Sequence, residues 1–470
     1  MNTFAAKNNK LGTDPIPGLL FRMALPSVLA QLVNLLYNMV DRAFVGHIET
    51  VGPLALAGLG IVLPVTMIIA AFAQLIGMGG APRAAISMGE GNYEKAERIL
   101  GNCTCMLIGL SVILFIFFQI FCDPILTLFG ASDETLPYAS SYLRIYLLGN
   151  FFVMIVMGLN AFITNQGYAK TSMLTTCVGA LLNLCLDPIL IYGFDLGVAG
   201  AAWATVISQG VSAGMILLFL TGKKGYIHIR KKWFRLKREL VMPILALGCS
   251  PFVMGLTECV VQLTYNISIA QYGDLYVALQ SILFSLIQII WMPLNGFAQG
   301  ATPIISYNYG AGRLDRVRQT FRLLLTVDMI FSVGVVCLLA AFPGMVLRIF
   351  SDNAALLTLG VMPLRVYILG MAAMGAQSAC QNTFLALGQA KISMFLACLR
   401  KMFLIWPLAL ILPHLFGLGV WGLFLAEPIA DFTAGITTFT VFFFRSKKLL
   451  YETGTAKKLE KTAEESERKC

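Results

Sequence analysis

Apolar runs of about 20 residues, each closed off by glycine, proline or charged residues, follow one another along nearly the whole chain. An α-helix rises about 1.5 Å per residue, so a run of that length crosses a hydrocarbon layer about 30 Å thick. The runs predict about twelve membrane-spanning helices, numbered here as spans 1 to 12. Spans 1 to 6 are read as Leu19–Val45, Leu54–Gly80, Ile99–Phe121, Tyr138–Phe162, Ser172–Tyr192 and Val198–Leu220. Spans 7 to 12 are read as Val241–Ala270, Val277–Ile305, Phe321–Phe342, Leu359–Leu385, Ile392–Leu412 and Val420–Phe444. The division expected is a polar tail over 1–17, a six-helix N-lobe over 18–221, a basic linker over 222–240, a six-helix C-lobe over 241–445 and a polar tail over 446–470.

Composition sharpens this picture. Hydrophobic residues make up 58% of the chain and charged residues 12%, with a mean hydropathy of +0.78, against a charged share of about 25% in soluble domains. The net charge of +10 is carried by short loops rather than by a nucleic-acid-binding face. With the N-terminus placed inside, the cytoplasmic loops hold Arg83, Lys95, Arg98, Lys170, the Lys/Arg cluster of the 222–240 linker, Arg313, Arg316, Arg318 and Lys391. The opposite side carries Glu49, Asp123, Asp133, Glu134, Asp195, Asp274 and Asp352. Because Lys and Arg are retained on the cytoplasmic side, the asymmetry predicts a multi-pass protein of the cytoplasmic membrane with both termini inside. The 11 cysteines are scattered singly, and His47, His228 and His414 stand far apart, so neither a metal cluster nor an enzyme is expected. The sequence has no phosphate-binding Gly-x-x-x-x-Gly-Lys-Ser/Thr loop, which argues against direct ATP drive.

The two halves repeat. Tyr142-Leu-Arg-Ile-Tyr-Leu-Leu-Gly149 answers Pro363-Leu-Arg-Val-Tyr-Ile-Leu-Gly370, and Gly167-Tyr-Ala-Lys-Thr-Ser-Met173 answers Gly388-Gln-Ala-Lys-Ile-Ser-Met394. Pro82 with Gly89-Glu-Gly91 matches Pro303 with Gly310-Ala-Gly312, and Gly197-Val-Ala-Gly200 recurs as Gly419-Val-Trp-Gly422. All four pairs lie about 221 residues apart. With an even number of spans each, the halves run in the same sense, related by a pseudo-two-fold axis along the membrane normal with a cavity between them.

An ionisable side chain inside a span costs several kcal/mol unless it meets a cavity or a partner, so each one is a functional candidate. In the first half these are Asp41 and Asp187, accompanied by Asn183 and Thr205. Asp41, Asp187 and Thr205 fall at one depth, about 9 Å inside the outer ends of spans 1, 5 and 6. Asn183, four residues before Asp187, shares its helix face. Such a set can hold a hard cation such as Na⁺ through oxygen ligands or share a proton between carboxylates. The plainer alternative is that Asp187 accepts local backbone hydrogen bonds beside Pro188 and Asp41 neutralises Arg42. In the second half Glu258 reads as an isolated carboxylate, while Glu427 and Asp431 share a face of span 12; the intramembrane groups read as mainly acidic. Tyr37, Asn160, Glu258 and Asp431 are candidates for lining a substrate cavity. Pro26, Pro188, Pro251 and Pro407 are candidate hinges, since each removes a helix hydrogen bond.

At this point the chain resembles the multidrug and toxic compound extrusion family over nearly its whole length, in particular its bacterial branch. The resemblance rests on Leu36-Tyr-Asn-Met-Val-Asp-Arg-Ala-Phe-Val-Gly46, the Gly89-Glu-Gly91 loop and the segment Leu186-Asp-Pro-Ile-Leu-Ile-Tyr-Gly-Phe-Asp-Leu-Gly-Val-Ala-Gly-Ala-Ala202. It implies an all-α, V-shaped transporter of twelve helices exporting amphipathic cationic drugs and dyes in exchange for H⁺ or Na⁺, with no cofactor and acting as a monomer. It also implies a first-lobe cation site on Asp41, Asn183, Asp187 and Thr205. The family's second-lobe pairing of a span-7 Glu with a span-10 Asp is met only by Glu258, since Ala376-Gln377-Ser-Ala-Cys-Gln-Asn382 has no carboxylate. The family's Arg in the turn following span 4 is also missing, with Thr164 and Asn165 in its neighbourhood. A flippase for a lipid-linked precursor is the alternative; it would favour more spans and a basic cavity.

Overall fold

A computed structural model of the chain describes residues 9–48, 51–351, 353–415, 417–446 and 449–450. Glu49 and Asp352, used above in reading the loops, lie outside the described residues, as do Cys470 and the side chain of Cys259. Every regular element among the described residues is helical. Spans 1 to 3 are the helices Ile16–Gly46, Gly52–Gly89 and Tyr93–Ile120. Span 4 is broken into Leu136–Leu148 and Asn150–Asn165, which meet at 59°. Span 5 is Ala169–Pro188 continued by a π-turn over Ile189–Gly193, and span 6 is Gly197–Thr221. Spans 7 to 9 are Arg238–Ala270, Asp274–Gly310 and Leu314–Ala341. Span 10 joins Ala354–Leu369 to Met371–Ala386. Span 11 joins Ala390–Cys398, a π-helical stretch Leu399–Ile405 and Trp406–Ile411. Span 12 is Val420–Ser446. Ten of these spans are long and apolar enough to cross a membrane, or eleven counting the bent span 4; span 12, which carries Glu427 and Asp431, falls outside that set.

Spans 2 and 8 exceed their predicted lengths, reaching 38 and 37 residues, or roughly 55 Å. Arg83 ends the apolar run of span 2 but not its helix, which runs on through Pro82 and Arg83 to Gly89. The repeat reappears in the backbone. Gly91 and Gly312 take φ +79° and +70°, Gly167 and Gly388 +94° and +73°, and Gly197 and Gly419 +54° and +52°. Only glycine adopts such φ values without a steric cost, so equivalent turns in the two lobes demand the same residue.

The lobes meet through crossed pairs. Gly79 of span 2 lies against Ile244 and Gly248 of span 7, and Gly248 in turn against Leu75. Its repeat partner Gly300 of span 8 lies against Ala24 of span 1, with Gly296 against Val28 one turn away. Nearer the linker, Gly89 abuts Tyr307 and Gly310 abuts Ile86. None of these contacts leaves room for a Cβ. The lobes are therefore joined along the half of the molecule nearest the 222–240 linker, called here the basic face.

Two extramembrane segments close that face. The Asn308 amide donates to the Leu11 carbonyl at 2.8 Å, Arg313 to that of Gly12 at 2.5 Å, and Arg316 to those of Leu11 and Asp14 at 3.2 and 2.7 Å. The basic linker is docked rather than free: Arg230 pairs with Glu97 at 3.0 Å, and Gln166 Oε1 accepts from the Tyr226 and Ile227 amides at 2.7 and 3.0 Å. Arg98 and Lys232 both lie over the Trp233 ring, 4.6 and 4.3 Å from its centre.

Candidate coupling and substrate sites

In the N-lobe the structure brings together the four polar residues singled out at one depth. Asp187 is fully buried, Asn183, Thr205 and Asp41 nearly so, and the carboxyl groups of Asp41 and Asp187 come within interaction distance of each other. Asn183 Nδ2 donates to Asp187 Oδ1 at 3.3 Å and to Thr205 Oγ1 at 3.5 Å. With the amide turned over, its NH₂ reaches Asp187 Oδ2 at 3.3 Å and its oxygen accepts from the Thr205 amide at 3.3 Å. In either orientation the NH₂ serves Asp187, because residues four apart share a helix face. Asp41 Oδ1 is buried with no hydrogen-bond partner among the described residues. Tyr37, one turn before Asp41 on span 1, stands near both carboxylates. Directly beyond Asp187, Pro188 opens the π-turn, and Tyr192 within it donates to the Phe44 carbonyl at 2.6 Å, tying span 5 to span 1.

Asn160 spends its polar atoms on packing span 4 against span 5. Its NH₂ approaches the Ser172 carbonyl at 3.4 Å and Thr176 Oγ1 at 3.3 Å, and its oxygen accepts from Thr175 at 3.3 Å.

The C-lobe differs from the sequence reading. A cavity of about 270 Å³ is lined by residues of spans 7, 8, 10, 11 and 12 together with Gln74 and Met78 of span 2. Glu258 lines it, but is not isolated: Lys401 Nζ of span 11 is bonded to Glu258 Oε2. Asp431 does not line it; fully buried, it accepts from Arg400 Nε at 2.7 Å, and the neighbouring Glu427 is the span-12 residue that reaches the cavity. Glu427 accepts from the Tyr367 hydroxyl at 2.5 Å and lies 3.9 Å from Arg400. The expectation of an isolated Glu258 is thereby corrected: Arg400 and Lys401, adjacent on the π-helical stretch of span 11, place two cations among three carboxylates. The widened turn sends one side chain toward span 12 and the next toward span 7.

A further buried carboxylate, Asp328 in the middle of span 9, also escaped the sequence reading; neither of its oxygens has a hydrogen-bond partner among the described residues. Its signal was a lone Asp inside an apolar run. Of the candidate hinges, Pro26 and Pro251 lie inside continuous helices, whereas Pro188 and Pro407 flank the two π-helical stretches.

Two lobes of six spans repeated in sequence and in turn geometry, with buried carboxylates at mid-depth, define a membrane transporter of the repeated-bundle class. The chain belongs to the MatE family, whose model matches residues 26–189 and 252–411, one stretch in each lobe. Multidrug export protein MepA of Staphylococcus saprophyticus is 27% identical over 425 residues, 88% of this chain and 92% of that one. The protein of the same description from Staphylococcus aureus is 26% identical over 426 residues, 90% of this chain and 93% of that one. Among solved structures, a MATE in the bent conformation superposes with a TM-score of 0.88 at 24% identity, covering 94% of this chain and all of that one. A MOP superfamily transporter from Pyrococcus furiosus gives 0.87 at 24% identity, over 94% of this chain and 98% of that one. The all-helical, two-lobe fold of this chain is the MATE fold.

Proposed function

We propose that this protein is a cation-coupled multidrug antiporter that exports amphipathic organic cations, with the coupling cation on Asp41, Asn183, Asp187 and Thr205 and the substrate in the cavity beside Glu258. The observation that carries this reading is the enclosed pair Asp41 and Asp187, two carboxylates whose combined charge changes when a cation enters. The residue types suit either H⁺ or Na⁺. The Asn183 NH₂ aimed at Asp187 in both orientations favours the proton, since an amide oxygen rather than a nitrogen would face a metal ion. Neutralising the pair lets spans 1, 5 and 6 repack, and linkage then makes cation and substrate mutually antagonistic. The flippase alternative is not favoured, because the chain falls in the MatE family and the curated relatives it matches are multidrug export proteins.

The test is export of a cationic dye from proteoliposomes under an imposed pH or Na⁺ gradient, each applied alone. Export driven by neither gradient removes the coupling assignment. The orientation proposed, with the basic face cytoplasmic, predicts that a reporter inserted near Lys232 reports from the cytoplasm; a reporter on the outside reverses it.

A further inference from the structure

Glu258 is the carboxylate most open to the substrate cavity: its side chain is 35% exposed, against 11% for Glu427 and 0% for Asp431. It is bonded to Lys401, whose own side chain is 6% exposed. Lys401 also lines the cavity, but with little of its side chain showing, so the Glu258 carboxylate is the more accessible member of the pair. Arg400 also lines the cavity, 5% exposed; it is bonded to Asp431 and lies 5.7 Å from the centre of the Trp291 ring, another lining residue. An acidic ligand group would find both cations already paired and little exposed, whereas a cationic one would meet the more exposed carboxylate.

We propose that Lys401 is a tethered competitor for Glu258, restricting the site to cations that bring a large apolar or aromatic body. This rests on the cavity being the substrate site. A cation entering the cavity must share Glu258 with Lys401 or displace it. Because Lys401 is held in the fold, its effective concentration at Glu258 is on the order of millimolar or higher at all times. A small hydrated cation gains nothing beyond the charge it takes from Lys401, so it does not compete. An amphipathic cation gains in addition the burial of its apolar body against Trp291, Phe284, Met254 and Met371, all of which line the cavity. The preference for amphipathic over simple cations then comes from Lys401 as much as from the apolar wall.

The experiment measures equilibrium binding of ethidium to the purified full-length protein, with tetramethylammonium as the small competitor. Wild-type protein is expected to bind ethidium and to be indifferent to tetramethylammonium. Lys401→Met keeps most of the side-chain stem and removes the charge; it should bind ethidium roughly tenfold tighter and become sensitive to tetramethylammonium. Lys401→Arg should restore wild-type behaviour, and Glu258→Gln combined with Lys401→Met should abolish the gain. Unchanged or weaker ethidium binding by Lys401→Met, at a thermal stability matched to wild type, overturns the inference. If Lys401→Met does not fold, Lys401→Gln is measured by the same criteria. Saturable wild-type binding that Glu258→Gln weakens keeps the cavity as the substrate site even when this inference fails. Absence of binding in wild type and every variant overturns both.

Discussion

Asp187 shows how much one residue can disclose. A fully buried carboxylate four residues after an asparagine, inside an apolar run, was legible as a candidate site because water is absent at that depth and a charge needs a reason to be there. Asp41→Asn and Asp187→Asn are each expected to reduce gradient-driven export by roughly tenfold or more while leaving membrane insertion unchanged; transport assays at matched abundance check this, and normal coupled export by both variants removes the site. Arg400 and Lys401 were not legible in the same way. Span 11 keeps a mean hydropathy of 1.9 over its most apolar window, which hides two adjacent cations, and their partners lie 31 and 143 residues away in sequence. The Arg400 pair is the more deeply buried. Arg400→Met should therefore cost about 3–5 kcal/mol by stranding Asp431, and Arg400→Met with Asp431→Leu should recover much of that loss. Denaturant or thermal unfolding in detergent reads both; equal stability of Arg400→Met and wild type would show that the pair contributes nothing.

At the scale of elements, length and apolarity located the spans but not their interruptions. The break in span 4 falls at Gly149, against which Val206 packs so closely that a Cβ would not fit; that neighbour belongs to another span and leaves no local mark in the sequence. The π-turns are equally silent, since the same residues would serve an α-helix, although Pro188 and Pro407 did flag the regions where the hydrogen-bond ladder shifts. Outside the spans, the short helix Cys122–Leu128 is clipped to span 4 through Asp123, which accepts from Ser140 at 2.8 Å and Arg144 at 3.0 Å. The Ser140 hydroxyl, and after it the Arg144 guanidinium, hold the Asp123 carboxyl below its ordinary range. A depressed carboxylate stabilises the fold above the unfolded-state pKa, about 3.9 for Asp, and that contribution is lost as pH falls through the folded value. Asp123→Asn should lower stability at neutral pH by less than about 1 kcal/mol, as expected for an exposed pair, and should flatten the acid limb of the stability curve. Melting temperatures of the two proteins compared across pH check the sign, and parallel curves would show that the clip is inert.

For the whole molecule, the repeat was the most legible feature, because duplicated turns need duplicated glycines. How the lobes cross was not, since Gly79, Gly248 and Gly300 read as ordinary small residues until the spans they face are known. Gly300→Val should clash with Ala24 and cost about 1–3 kcal/mol in this arrangement of the lobes. The population should shift toward separation at the basic face, read as increased thiol labelling of a cysteine placed at Ala24; unchanged labelling would mean the lobes move as one body without parting there. The segment Leu11–Asp14 has a kinetic meaning as well. Its carbonyls are gripped by Asn308, Arg313 and Arg316, residues of the opposite lobe, so every excursion that parts the lobes on that side must first unfasten it. A fastener of this kind adds nothing to what the protein binds. Its expected effect is on time: a longer dwell with the lobes joined at the basic face.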